Sequence, residues 1–367
     1  MLSKSDFLLR NIFYLYPLFK AGNVLEEAKY TKELSNLLFH SGNILFVCHI
    51  NPDGDAIGSQ LALYHYLASK GIYAEMISPN WLQEFLKWMD GAEKINIYIR
   101  EREKCKKLIE NADLIVMFDF NHSDRLGEAE KHVLKSKAKK VIIDHHLNAE
   151  DFVDLIISDT KKCSTSELLH EIVQSINKEK FMNRPYAEAI YVGIITDTGN
   201  FEHGAYSGST FRIIADILDS GIEKDRIFNL VYNNFSADRL RLQGLALDRR
   251  MVVLPEFRTA YIFLTKTDLI ENNYKKGDTE GFVNMPLSIN GIDFTALFVE
   301  KDGFIKLSFR SKGNFSVNDF ARAYFNGGGH LNAAGGEHYD TLENTIEYFL
   351  KALKSDAPAT IPPILDL

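Results

Sequence analysis

His49, Asp53 and Asp55 crowd together in "ILFVCHINPDGDAIGSQLAL" (44–63), directly after an apolar run. Two carboxylates one residue apart repel each other, and near a buried strand each would be pushed toward its neutral form unless positive charge stood between them. The pattern recurs. Asp119 ends "LIVMFD", Asp144, His145 and His146 end "KVIIDHH", and Asp197 ends the apolar part of "IYVGIITDTGNF". Singly, each has an ordinary explanation, because an aspartate after a strand usually caps a helix and a lone histidine usually packs or faces water. Four such endings, read as four strand ends and all carrying His or Asp, point to one shared site. Its donors are carboxylate and imidazole with no thiolate. That set suits two divalent cations, manganese ahead of magnesium, with cobalt or zinc able to substitute. Two such ions about 3.5–4 Å apart are the usual device for hydrolysing phosphate esters.

The elements that must position these residues alternate. "NILFVCH" (43–49), "IYAEMI" (72–77), "DLIVMFDF" (113–120) and "KVIIDHH" (140–146) read as strands, with helices over 57–69, 101–111 and 126–137 between them. Alternation of this kind predicts an α/β fold whose mostly parallel sheet is flanked by helices. In such a sheet, groups at the carboxyl ends of strands converge on one crevice. Residues 5–40 read as helical, 164–250 as mainly helical, and "SADRLRLQGLALDRR" (236–250) as a helical linker. Beyond it "VVLPEFRTAYIFL", "DFTALFVEKDG" and "FIKLSFRSKG" read as strands of a smaller α/β second domain, with "KDG" as a tight turn. The expected division is a first domain over 1–235 with N-terminal helices, a linker over 236–255, a second domain over 256–355 and an extended, proline-containing tail over 356–367.

Composition narrows the functional class. The 42 basic and 50 acidic residues give a formal charge of -8, which argues against a broad basic track for long nucleic acid. The three cysteines lack metal-type spacing and read as reduced thiols of a cytoplasmic protein. "NIFYLYPLFKAG" near the start is too short, and too interrupted by Pro17, to read as a signal peptide, and no segment has the near-twenty apolar residues of a membrane span.

"HINPDGDAIGS", "FDFNHSDR", "IDHH" and "TDTGNF" resemble, in order, the four motifs of the DHH phosphoesterase family, and "FRSKG…NDFARAYFNGGGHLNAAGG" resembles the DHHA1 domain that often follows. Length and domain order make the chain most similar to the nano-RNase type, bifunctional oligoribonucleases and phosphatases of 3′-phosphoadenosine 5′-phosphate. The resemblance implies that His49 and Asp53 bind one metal, Asp55 and His145 the other, and that Asp119 and Asp197 bridge or share the pair. It places His146 near the scissile phosphate, with Asp144 orienting an imidazole, and leaves the role of His203 open. It assigns the terminal nucleotide to Arg310, Gly328, Gly329 and His330 of the second domain, with the substrate in a cleft between lobes. The implied substrates are short RNA oligonucleotides or dinucleotides and 3′-phosphoadenosine 5′-phosphate, and the implied assembly is a homodimer through the first lobe. A phosphodiesterase of cyclic dinucleotides or their linear products shares these motifs and stays open beside it. A catalytically dead nucleotide sensor would be marked by a missing ligand, and every motif position is filled.

Overall fold

Five consecutive buried residues in Ile44–Cys48 and again in Leu114–Phe118 have no polar alternation, the mark of strands covered on both faces. The computed structural model describes residues 21–146, 152–177, 179–202, 204, 206–329 and 331–356. The chain divides between Val231 and Tyr232 into two compact units. In the first, helix α1 (Ala21–His40) precedes β1 (Ile44–Cys48), α2 (Gly54–Ser69), β2 (Ala74–Ser78), β3 (Asn96–Ile97), α3 (Arg102–Asn111), β4 (Leu114–Phe118), α4 (Glu130–Lys135), β5 (Lys139–Asp144) and β6 (Leu155–Ser158). Helices α5 (Thr165–Ile176), α6 (Arg184–Asp197), α7 (Gly208–Asp219) and α8 (Lys224–Tyr232) follow.

The six strands form one sheet in the order β3-β2-β1-β4-β5-β6, and every pairing is parallel. The strand order reverses between β1 and β4, and a sheet of this design opens its binding crevice at such a switch point. Register does the rest. Cys48 lies opposite Phe118 and Phe118 opposite Ile143, so His49, Asp119 and Asp144 emerge side by side at the carboxyl edge. Strands β3 and β6 went unread in the sequence because two and four residues are too few to show a period.

The region read as a helix over 126–137 is a 3₁₀ stretch, Ser123–Ala129, kinked at Gly127 (φ 55°), and then α4. Asp197 ends no strand. It closes α6, a helix buried nearly all round between Tyr186 and Ile195, and a continuous apolar segment of that kind has no periodicity to separate helix from strand.

The second unit contains α9 (Ala237–Asp248), β7 (Met251–Leu254), β8 (Thr259–Leu264), α10 (Lys266–Glu271), β9 (Phe294–Glu300), β10 (Ile305–Ser311), α11 (Val317–Tyr324), β11 (Gly328–Gly329), β12 (Ala333–His338) and α12 (Leu342–Asp356). Its sheet runs β11-β12-β10-β9-β8-β7 and is antiparallel apart from β8–β9. One face carries an aromatic core around Phe294, Phe309, Phe320, Phe325 and Phe349. Against the other, α9 buries Leu242 and Ala246 beside Ile262 and Leu297, so the segment read as a linker packs into this unit's core.

Candidate metal centre

Four segments of the first unit deliver the ligand-type side chains, each through a local device. After β1, Asp53 caps α2: its Oδ1 accepts the N–H groups of Asp55 and Ala56, both at 3.0 Å. Its other oxygen faces His49, with Oδ2 3.8 Å from Nε2. After β4 the chain turns at Asp119 with φ 65°, a left-handed conformation that few side chains other than Asn and Asp adopt readily. Its Oδ2 lies 3.5 Å from His49 Nε2 and its Oδ1 3.6 Å from His145 Nε2. Asp197, at the end of α6, brings Oδ2 to 3.4 Å from the same His145 nitrogen.

The remaining ring nitrogens are spoken for. His49 Nδ1 donates to the Ile50 carbonyl (2.7 Å), His145 Nδ1 to the Lys162 carbonyl (3.2 Å), and His146 Nδ1 to Asp144 Oδ1 (2.6 Å). Nε2 of His49 and His145 is thereby the nitrogen turned to the carboxylates. At 3.4–3.8 Å these nitrogen–oxygen separations are too long for hydrogen bonds. They are nonetheless close enough for the atoms to share an ion: His49, Asp53 and Asp119 form one group within 4.8 Å, Asp55, His145 and Asp197 a second, and Asp119, His145 and His146 a third. The structure therefore brings together all six expected ligands, with Asp144 and His146 beside them.

Electrostatics gives the same answer. Burial pushes the Asp55 carboxyl up to about 7, and nearby Asp119 adds to the effect. Asp197 is raised well above the carboxylate range by burial and by Asp55 and Asp119. Burial disfavours charge on His49, yet the facing carboxylates of Asp119 and Asp53 hold its imidazolium up to about 10. Left to themselves these carboxylates must borrow protons to coexist, and divalent cations would replace those protons. Oxygen and imidazole donors so arranged fit such ions.

Sequence reasoning missed three contributors. The backbone N–H groups of Thr165 and Ser166, at the first turn of α5, donate to Asp55 Oδ2 (2.6 Å) and Oδ1 (2.9 Å), and Thr165 Oγ1 donates to Asp119 Oδ1 (2.9 Å). A helix N-terminus is a natural seat for a carboxylate. The signal was present in "STSELLHEIV", whose Ser and Thr open a helix in the region read only as mainly helical. The third is Arg125 in "FDFNHSDR", whose carbonyl accepts the Ile50 N–H (2.7 Å) and whose Nη2 lies 3.2 Å from His49 Nδ1.

In the second unit Arg310 projects from the β10 face opposite the aromatic core, where it lines a polar cavity with Lys301, Lys306, Ser308 and Glu280. Burial lowers its pKa, and its Nη1 donates to the Phe309 carbonyl (2.9 Å). Register sets Arg310 opposite Ala333, and Gly329 opposite Ala334, so Arg310 and Gly328–Gly329 flank the same strand, β12. A Cβ at Gly329 would stand 2.7 Å from Ala334 Cα, so this glycine is required by sheet packing. Its N–H donates to Asn318 Oδ1 (2.9 Å). His330 and His203 lie outside the described residues.

Comparison with known proteins supplies the family. The DHH family, N-terminal domain, matches residues 43–194, and the DHHA1 domain matches 258–357. The chain is 30% identical over 296 residues to the bifunctional oligoribonuclease and PAP phosphatase NrnA of Bacillus subtilis, covering 79% of this chain and 88% of that protein. A crystal structure of an exopolyphosphatase-related protein from Bacteroides fragilis superposes with a TM-score of 0.87 at 42% identity, over 90% of this chain and 97% of that one. RecJ of Thermus thermophilus in complex with Mn2+ shares the fold at a TM-score of 0.54 and 14% identity, over 92% of this chain and 55% of that one. With the six His and Asp side chains gathered at one site and both domain matches in order, the chain belongs to the DHH family and is a phosphoric ester hydrolase of the DHH–DHHA1 type.

Proposed function

We propose that the chain hydrolyses very short oligoribonucleotides to mononucleotides and 3′-phosphoadenosine 5′-phosphate to AMP, using two divalent cations, manganese foremost. What carries the reading is the match to the Bacillus subtilis protein of that activity across 88% of its length, through both domains. His49 and Asp53 would hold one ion and Asp55 and His145 the other, with Asp119 and Asp197 completing the set. When bound, such ions lower the pKa of water and neutralise phosphoryl oxygens.

The chain's own groups do the positioning. Asp144, fully buried, holds His146 Nδ1 and so orients the imidazole that steadies charge developing on the scissile phosphate. The α5 amides fix both oxygens of Asp55, and Arg125 brings a permanent cation beside His49. In the second unit, Arg310 with Gly328, Gly329 and His330 grips the terminal nucleotide, because a guanidinium suits bidentate contact with phosphate.

Product release from the linear dinucleotide pApA, beside 3′-phosphoadenosine 5′-phosphate, cyclic di-AMP, linear polyphosphate and a long single strand, tests the reading. Each is run with manganese and with chelator. Manganese-dependent cleavage of the first two, with the long strand largely spared, is expected. Activity confined to cyclic di-AMP, polyphosphate or the long strand would overturn it.

A further inference from the structure

Immediately after the ligand Asp197 the chain does something costly. Gly199, Asn200 and Phe201 take φ values of 54°, 59° and 67°, three successive left-handed residues. Glycine and asparagine accept that conformation readily, but a phenylalanine does so rarely, and such strain persists only where the surroundings enforce it. Here they do. The Asn200 N–H donates to the Ile195 carbonyl (2.7 Å), and the Phe201 N–H donates to Thr198 Oγ1 (3.0 Å). Thr198, fully buried, anchors itself on the Ile194 carbonyl (2.7 Å).

The enforced turn places Phe201 in an aromatic cluster at the surface. Its ring lies 5.0 Å from Phe211, tilted by 34°, and 6.2 Å from Tyr206 edge-on, while Tyr206 and Phe211 meet at 5.8 Å. These rings have not been recruited to a core: Tyr206 is 38% exposed and Phe211 47%. The cluster is tied on two sides to the metal centre, once to the helix that ends in Asp197 and once to the helix that holds Asp55. Phe201 follows Asp197 around the turn that closes α6. Thr210, beside Phe211, donates through Oγ1 to buried Glu167 Oε1 (2.7 Å) in the first turn of α5, the turn whose amides hold Asp55.

The surroundings select the occupant. The cluster presents aromatic faces four residues beyond Asp197, so a flat, neutral ring gains there by stacking. A phosphoester bound at the metal centre has such a ring one ribose away. We propose that Phe201, Tyr206 and Phe211 form a stacking platform for a nucleobase of the substrate, on the first unit and independent of the nucleotide grip assigned to the second. This rests on the oligonucleotide reading above and adds a base-binding subsite to it. Stacking accepts any base, so the platform favours nucleotides over polyphosphate without choosing among sequences.

The test is steady-state hydrolysis of pApA and of its two analogues lacking one base each, with manganese, by the wild type, Tyr206→Ala, Phe211→Ala and the conservative Tyr206→Phe and Phe211→Trp. Removing the stacked base should raise KM about tenfold in the wild type. Each alanine variant should raise KM for pApA by a similar factor with kcat held within about twofold, and should show no further loss on the abasic analogue. The aromatic replacements should restore KM. Wild-type KM in both alanine variants, or a base-removal effect undiminished in them, would overturn the platform. If the wild type does not cleave pApA, the oligonucleotide reading fails separately. The platform is then decided by equilibrium binding of AMP against ribose 5-phosphate: a preference for AMP that Phe211→Ala abolishes supports it, and equal binding overturns it.

Discussion

At the scale of residues, Asp119 touches the most. One carboxylate, 2% exposed, lies near His49, His145 and His146 and accepts from Thr165. Although burial opposes its charge, these imidazoles hold it well below the usual carboxylate range. Partners that only orient a ligand typically cost about 10–100-fold when removed, so Asp119→Ala should lower turnover by more than about a hundredfold. Circular dichroism should show the fold retained, and metal analysis a reduced metal content; near-native turnover would contradict a shared ligand. A second prediction concerns protons. Asp55 rises from 3.8 to about 7 and His49 from 6.5 to about 10, so the folded, chelated protein binds more protons than the unfolded chain across roughly pH 4 to 10. Stability from these groups is complete below their ordinary values and is lost as pH rises through the folded ones. Tm measured with chelator should therefore fall with rising pH in that window. Manganese should flatten the fall and release protons on binding; a chelated Tm independent of pH would refute the charge conflict.

At the scale of elements, the site depends on how closely α2 and α6 approach. Gly58 sits where a Cβ would stand 2.6 Å from the Ala189 carbonyl, and Gly193 where one would stand 2.8 Å from Asp55 Oδ1 and 2.6 Å from Ser166 Cβ. These two glycines let Asp55 on α2 reach the α5 amides and come within range of Asp197 at the end of α6. Gly193→Ala should cost about 1–3 kcal/mol of stability by overpacking. It should also weaken manganese binding, read by calorimetry; unchanged affinity would separate helix packing from ligand placement. The strands that carry the other ligands were legible because their apolar runs are short, unbroken and followed at once by His or Asp. Helix α6 was not, because it is buried all round and shows no polar face to betray its period.

At the scale of the whole molecule, the candidate metal centre and the nucleotide grip proposed above belong to different sheets, one all parallel and one mixed. Substitution in the second should therefore spare the first. Arg310→Ala should raise KM for dinucleotides about tenfold or more, as loss of a charged hydrogen-bonding partner commonly does. Metal content should stay unchanged, and equal dinucleotide affinity in the variant would remove the role proposed for this cavity. The formal charge of -8 fits a protein that engages a few phosphates locally. Among the described residues, no helix is long and apolar enough to cross a membrane.

The sequence by itself determined which His and Asp side chains gather at one site, the α/β class and the second domain. Each of the ligand motifs is local, and the register of adjacent parallel strands converts adjacency to a strand end into adjacency in space. Only the tertiary structure decided what fixes those ligands. Asp55 is held by amides 110 and 111 residues away, its room is made by a glycine on α6, and Asp197 comes from a helix end. None of these leaves a mark in the local pattern, because hydrogen bonds and close approaches between remote segments exist only once the helices have packed.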